Sequence, residues 1–210
     1  MTPIFFLLAF LISTINSHVA AIDFCVADLK GAQTSVGYPC KLPKDVTVED
    51  FVFSNFTVGT PNQFNFSLTP AIVDNFPALN GLGLSMARVE LEEGAIIPMH
   101  THVDATEVVI AGSGLGKYTT GFITSDNVVY IKTLVEGDIF VIPKGLLHFG
   151  FNAGEGKASG MAVFSSEKPS VQIVDLALFG NDLDSAIVEK TTFLDAEQVK
   201  KLKDLFKGSG

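Results

Sequence analysis

Histidine is scarce in this chain: four among 210 residues, His18 near the start and then His100, His102 and His148. Cysteine is scarcer, with Cys25 and Cys40 alone. Basic residues are few, 14 Lys and Arg against 23 Asp and Glu, and the formal net charge is −9. No basic stretch stands out. The Lys-rich piece at the C-terminus is interrupted by Asp204. An acidic chain without a basic patch is a poor partner for nucleic acid or an anionic membrane surface. Beyond the N-terminus no run is apolar and long enough to span a bilayer as a helix. Internal repeats are also missing, so one domain is expected rather than two.

What is present begins with the leader. Ile4 to Ile12 is an apolar run of signal-peptide length, too short to cross a bilayer, and Ala20 and Ala21 offer small residues for cleavage. Residues 1–20 are therefore expected to be a signal peptide, although its n-region carries the terminal amine and no Lys or Arg. Those twenty residues hold no charged side chain, so the mature chain from residue 21 keeps the whole −9. Its length suits one domain with a substantial core. In a secreted chain, two cysteines close in sequence read as a disulfide, and Cys25–Cys40 would contribute about 3 kcal/mol in the chain-entropy model. Two N-x-S/T sequons, at Asn55 and Asn65, are candidate glycosylation sites in such a chain.

Residues 22–50 show little periodicity and read as an extended arm pinned by the disulfide. Residues 51–66 are rich in phenylalanine: Phe51, Phe53, Phe56, Phe64 and Phe66. Phe51 and Phe53 are expected on one face of a strand, and so many rings suggest a surface covered by a partner subunit. From residue 82 the chain reads as short strands separated by Gly and Pro: Leu84 to Glu92, Thr106 to Ala111, Asn127 to Val135, Ile139 to Ile142, Ala158 to Ser165 and Val171 to Leu176. Such punctuation predicts an all-β sandwich or barrel. The chain then changes character. Asp195 and Gln198 have capping-box spacing, with Leu194 and Val199 at the staple positions. Val199, Leu202, Leu205 and Phe206 make an apolar stripe at helical spacing. Residues 182–210 are expected to be a helical extension.

The three downstream histidines share a pattern. His100 and His102 alternate, and Glu107 follows five residues later, between Gly94 and Gly114. His148 lies within a second segment running from Gly137 through Pro143-Lys144-Gly145 to Asn152. On a strand, His100 and His102 point to one face. Glu107 has the wrong parity for the same strand, so Val103-Asp104-Ala105 must turn the chain and bring Glu107 back on the next strand. Imidazole nitrogens and a carboxylate oxygen are ligands for a divalent transition metal, and the absence of sulfur leaves manganese, iron, nickel and zinc open. Four protein ligands would leave two positions of an octahedral ion for a small molecule.

The two segments resemble the conserved boxes of the cupin superfamily, G-x5-H-x-H-x4-E-x6-G and G-x5-P-x-G-x2-H-x3-N. Over the whole mature chain the resemblance narrows to plant germin-like proteins, in the subgroup labelled auxin-binding. It is carried further by Asp23-Phe24-Cys25-Val26-Ala27-Asp28-Leu29, Gly37-Tyr38-Pro39-Cys40-Lys41 and Leu178-Phe179-Gly180. The resemblance implies a single cupin jelly-roll barrel in which His100, His102, Glu107 and His148 converge on Mn(II). It also implies a glycosylated protein secreted to the apoplast, and a homohexamer built as a trimer of dimers clasped by C-terminal helices.

Germins proper oxidise oxalate, and many germin-like proteins dismutate superoxide. Where the oxalate-oxidising germins have two asparagines near the metal, this chain has Ala87 and Ile97, which disfavours oxalate. Superoxide dismutation is the leading expectation. The alternatives are binding of a small acid such as auxin, and a structural role in which the metal staples the barrel. Ile96, Ile97, Met99, Leu146 and Phe149 could line an apolar mouth. Val103-Asp104 replaces the family's usual Pro-Gly, and Asp104 would bring a carboxylate near the metal mouth. The small residues Ala111-Gly112-Ser113 would loosen the Glu107 strand.

Overall fold

The computed structural model describes residues 23–210; the expected signal peptide lies outside them. Ten strands form two five-stranded antiparallel sheets. The strands are β1 (Phe66–Ala71), β2 (Ser85–Leu91), β3 (Ile96–Thr101), β4 (Glu107–Ala111), β5 (Tyr118–Ile123), β6 (Val129–Thr133), β7 (Ile139–Ile142), β8 (Leu147–Asn152), β9 (Ala158–Phe164) and β10 (Gln172–Ile173). One sheet has the order β1-β2-β9-β4-β7, the other β10-β3-β8-β5-β6. Three helices follow: α1 (Val174–Phe179), α2 (Ser185–Thr192) and α3 (Ala196–Phe206). This is the jelly roll that the cupin resemblance implies, with the helical C-terminus expected from the capping box and apolar stripe.

Alternation makes the core. β2 and β9, neighbours in one sheet, bury every second residue, so Val89, Leu91, Ala162 and Phe164 point from that sheet into the sandwich interior together with Val109 of β4 and Ile142 of β7. Full burial of such a side chain is worth about 1.5–3 kcal/mol. Positive φ at Gly94 and Gly137 lets the chain turn tightly into β3 and β7.

Cys25 and Cys40 are bonded, as expected. The bond closes an arm that is held together by Lys41 N–H donating to the Val26 carbonyl and docks through Ala27 N–H to the Pro77 carbonyl. The phenylalanine segment is not a strand. Val48–Phe51 is a 3-10 turn, and regular pairing starts only at Phe66. Pro61 and Gly59 lie in this stretch and disfavour a continuous strand. Its rings cover one another: Phe51 meets Phe24 edge-on, and Phe53 packs against Phe56 and Phe76.

The β-branched stretch Val171 to Leu176 is also not one strand. It pairs with β3 for two residues and then coils into α1, whose Phe179 joins Val188 and Val199 in a second core. The capping box of α3 forms as predicted: Gln198 N–H donates to Asp195 Oδ1 at 2.8 Å, and Asp195 N–H donates to Gln198 Oε1 at 3.0 Å. Val199, Leu202 and Phe206 pack inward, but Leu205 leaves the stripe and is 69% exposed. Lys203 takes an inward position instead, its Nζ donating to the carbonyls of Leu183 and Ser209.

Candidate metal centre

The two sheets contribute unequally to the histidine cluster. His100 lies on β3 and pairs in register with His148 of β8, both in one sheet. His102 sits one residue past the end of β3, where Val103 and Asp104 turn the chain. The Pro143-Lys144-Gly145 turn docks beside it, Gly145 N–H donating to the His102 carbonyl at 3.0 Å. Glu107 opens β4 in the opposite sheet, paired with Ile142 and Phe164. The four side chains meet between the sheets, with their ligand atoms all within 4.8 Å of one another. His102, Glu107 and His148 are buried. All four residues expected from the spacing are therefore brought together.

Each ring is oriented by a backbone carbonyl. Nδ1 of His100 donates to the Pro98 carbonyl at 2.8 Å, Nδ1 of His148 to Leu146 at 2.9 Å, and Nδ1 of His102 to Ser170 at 2.8 Å. A carbonyl can only accept, so the hydrogen sits on Nδ1 and the Nε2 lone pair is free. Three such lone pairs converge on a carboxylate. Nε2 of His148 lies 3.0 Å from Glu107 Oε2, and Nε2 of His102 lies 3.4 Å away. The His148 nitrogen and the Glu107 oxygen are buried without hydrogen-bond geometry between them. Acceptors facing acceptors call for a cation, and these donors fit a divalent transition metal.

Burial acts on the imidazoles and the carboxylate in opposite senses. Burial, with the charge of His148, pushes His100 down to about 4. Burial would also lower His102, but hydrogen bonding and charge from Glu107 outweigh it and raise the ring above its ordinary value. Burial would raise the Glu107 carboxyl, yet the adjacent His102 and His148 rings, positive when they carry a second proton, outweigh it and hold it at about 2. Glu107 is thus an anion over the working pH range.

Above the donors lies a cavity of about 190 Å³. Ile97 and Phe149 line it, as expected, whereas Ile96, Met99 and Leu146 do not. Ile96 faces solvent because a bulge between Ile97 and His100 shifts the register of β3. Phe66, Leu68, Phe164, Val171 and Ile173 complete the apolar wall. Val171 and Ile173, read from the sequence as strand residues, reach this wall because the short β10 pairs with the end of β3 beside the histidines.

Asp104 does not reach the metal mouth. Its carboxylate turns away to accept from Ser166 Oγ at 2.9 Å and Ser170 N–H at 2.8 Å. Gly112 does not loosen β4 either. Its N–H donates to the Ser159 carbonyl at 2.9 Å, and a Cβ there would lie 2.7 Å from Ser159 Oγ.

Residues 56–200 match the family model for cupin. Over almost the whole chain there is similarity to auxin-binding protein ABP19b of Prunus persica, 48% identical over 99% of this chain and 98% of that one. Germin-like protein subfamily 3 member 1 of Arabidopsis thaliana is 49% identical over 98% of each. The solved structure of oxalate oxidase in complex with the substrate analogue glycolate superposes with a TM-score of 0.82, at 34% identity over 88% of this chain and 94% of that one. A jelly roll closing on three imidazoles and a carboxylate is a cupin with a metal centre. The chain belongs to the cupin family and, within it, to the germin-like proteins.

Proposed function

We propose that this chain is a secreted manganese protein that dismutates superoxide: two superoxide anions and two protons become one dioxygen and one hydrogen peroxide. The donor set carries the proposal. Three imidazoles fixed as Nδ1–H tautomers and one ionised carboxylate converge below a cavity that contains no cysteine, serine or lysine. The sulfur-free donors suit Mn(II), in line with the germin resemblance. Manganese held by His100, His102, Glu107 and His148 would supply the one-electron couple that this reaction needs. Glu107 offsets one of the two cationic charges, so the site keeps net positive charge for an anion. The surrounding apolar wall excludes bulk water and strengthens that attraction.

Oxalate is a poorer fit. Ala87 is buried in the core and Ile97 lines the cavity, so neither offers an amide to a second carboxylate. The apolar wall favours a second reading, a small carboxylic acid with an apolar body held at the metal, in keeping with the name of the peach relative. Titration with indole-3-acetic acid, with and without metal, tests it; equal and negligible heats in both would rule it out.

Secretion to the apoplast and a hexamer belong to the same proposal. So do glycans at Asn55 and Asn65, both of which are exposed. Glycopeptide mass spectrometry and sedimentation of the secreted protein check them. The primary test is superoxide dismutation per bound manganese, beside a His100→Ala variant. Activity that tracks manganese and disappears in the variant is expected. Activity no greater than that of free manganese would overturn the dismutase.

A further inference from the structure

Tyr118 is a buried phenol that the donor set does not use. It stands on β5 in register with Asn152, is 5% exposed, and lines the cavity above the four donors. Its ring passes between two glycines. A Cβ at Gly150 would lie 3.1 Å from Cε2, and one at Gly160 would lie 3.0 Å from Cε1. Gly150 is on β8 of one sheet and Gly160 on β9 of the other, so the ring bridges the interior. Gly150 pairs with Thr120, and Phe122 pairs with His148. The ring therefore leans from its own strand position toward the level of the histidines, carrying the hydroxyl down the cavity.

The Tyr118 hydroxyl makes no hydrogen bond to another described residue and is open to the cavity that it lines. The other hydroxyl on the wall is already committed, Thr120 Oγ1 donating to the Phe149 carbonyl at 2.9 Å. Burial, reinforced by the charge of Glu107, pushes the Tyr118 phenol up, so it keeps its proton and can donate. The remaining lining side chains apart from the four metal donors are apolar.

We propose that the Tyr118 hydroxyl is the hydrogen-bond donor to the small anion that enters this cavity, with Gly150 and Gly160 shaped as the slot for its ring. This rests on the proposed function for the identity of that anion, superoxide. A fixed donor aimed at the ligand favours the more highly charged reduced species over the incoming one, which assists the reductive half of the cycle.

The experiment compares manganese-loaded wild type with Tyr118→Phe, which keeps the ring in its slot and removes the O–H. Azide is the probe, titrated calorimetrically. Azide binding about tenfold weaker in the variant is expected, the loss of one hydrogen bond to an anion, with manganese content and melting temperature unchanged. Dismutation per manganese falls in parallel. Unchanged azide affinity would overturn the proposal. Should the variant lose manganese, Gly150→Ala displaces the ring while keeping the hydroxyl. Weaker azide binding there supports the donor role, and unchanged binding rejects it. If wild type dismutates no faster than free manganese, the dismutase fails on its own, and the azide comparison still decides what Tyr118 does.

Discussion

Asp104 holds His102 at one remove. Its carboxylate fixes Ser166 and Ser170, and the Ser170 carbonyl fixes the His102 tautomer. Asp104→Ala frees that carbonyl, and metal affinity is expected to drop about 10–100-fold with little change in fold, measured by competition with a chelator. Retention of wild-type affinity would show that the Ser170 loop holds itself. The same cluster fixes the pH response. His102 is raised above 6.5 and so competes with metal for a proton early, whereas burial holds His100 down to about 4 and delays its protonation. Glu107, held at about 2, stays ionised through that interval. Metal affinity should therefore begin to weaken as the pH falls through the His102 region and weaken more steeply below pH 4, where His100 also protonates. A single drop confined to the region near pH 4 would contradict the opposed shifts. These ligands were legible in the sequence because their spacing matches the two cupin boxes. The Asp104 contacts were not, since Ser166 and Ser170 lie more than sixty residues away and follow no period.

Asn152 closes the end of β8 over the turns that feed the site. Its Nδ2 donates to the carbonyls of Leu91, Glu92 and Gly156, and its Oδ1 accepts from the N–H groups of Lys117 and Gly154. One side chain thus ties the end of β2 to the residue that leads into β5 and to the loop after β8. Asn152→Ala leaves several of these backbone groups unpaired and should destabilise by about 2–4 kcal/mol in urea unfolding. A loss below about 1 kcal/mol would mean that water replaces the amide. The sequence placed Asn152 on the same face as His148, and the element boundaries from β2 to β9 mostly followed their Gly and Pro punctuation. Three readings failed for local reasons. Phe51 and Phe53 lie in a 3-10 turn and the link after it, Val174 starts a helix despite its β-branch, and β5 went unread because Gly121 interrupts it. In β5 tertiary pairing on both sides, with β6 and β8, overrides the weak local signal.

Two features belong to the whole molecule. Apolar side chains gather on the outside of the helical extension, where Phe193 is 93% exposed and Ile187 and Leu205 are more than half exposed. Exposure on this scale suits a covered face and supports the proposed assembly. The second feature is charge. A net charge of −9 surrounds a centre that would itself be locally positive, and superoxide carries a negative charge. At about 0.01 M salt the Debye length is about 30 Å, so the approaching anion senses the acidic surface; at 0.15 M it is about 8 Å, and the nearby metal dominates. The dismutation rate at limiting superoxide should therefore rise with ionic strength, and the absolute rate should stay below the diffusional ceiling. Pulse radiolysis across that salt range reads the sign directly. A rate that falls with salt would mean that the metal's own field reaches beyond the mouth and steers the anion despite the acidic surface.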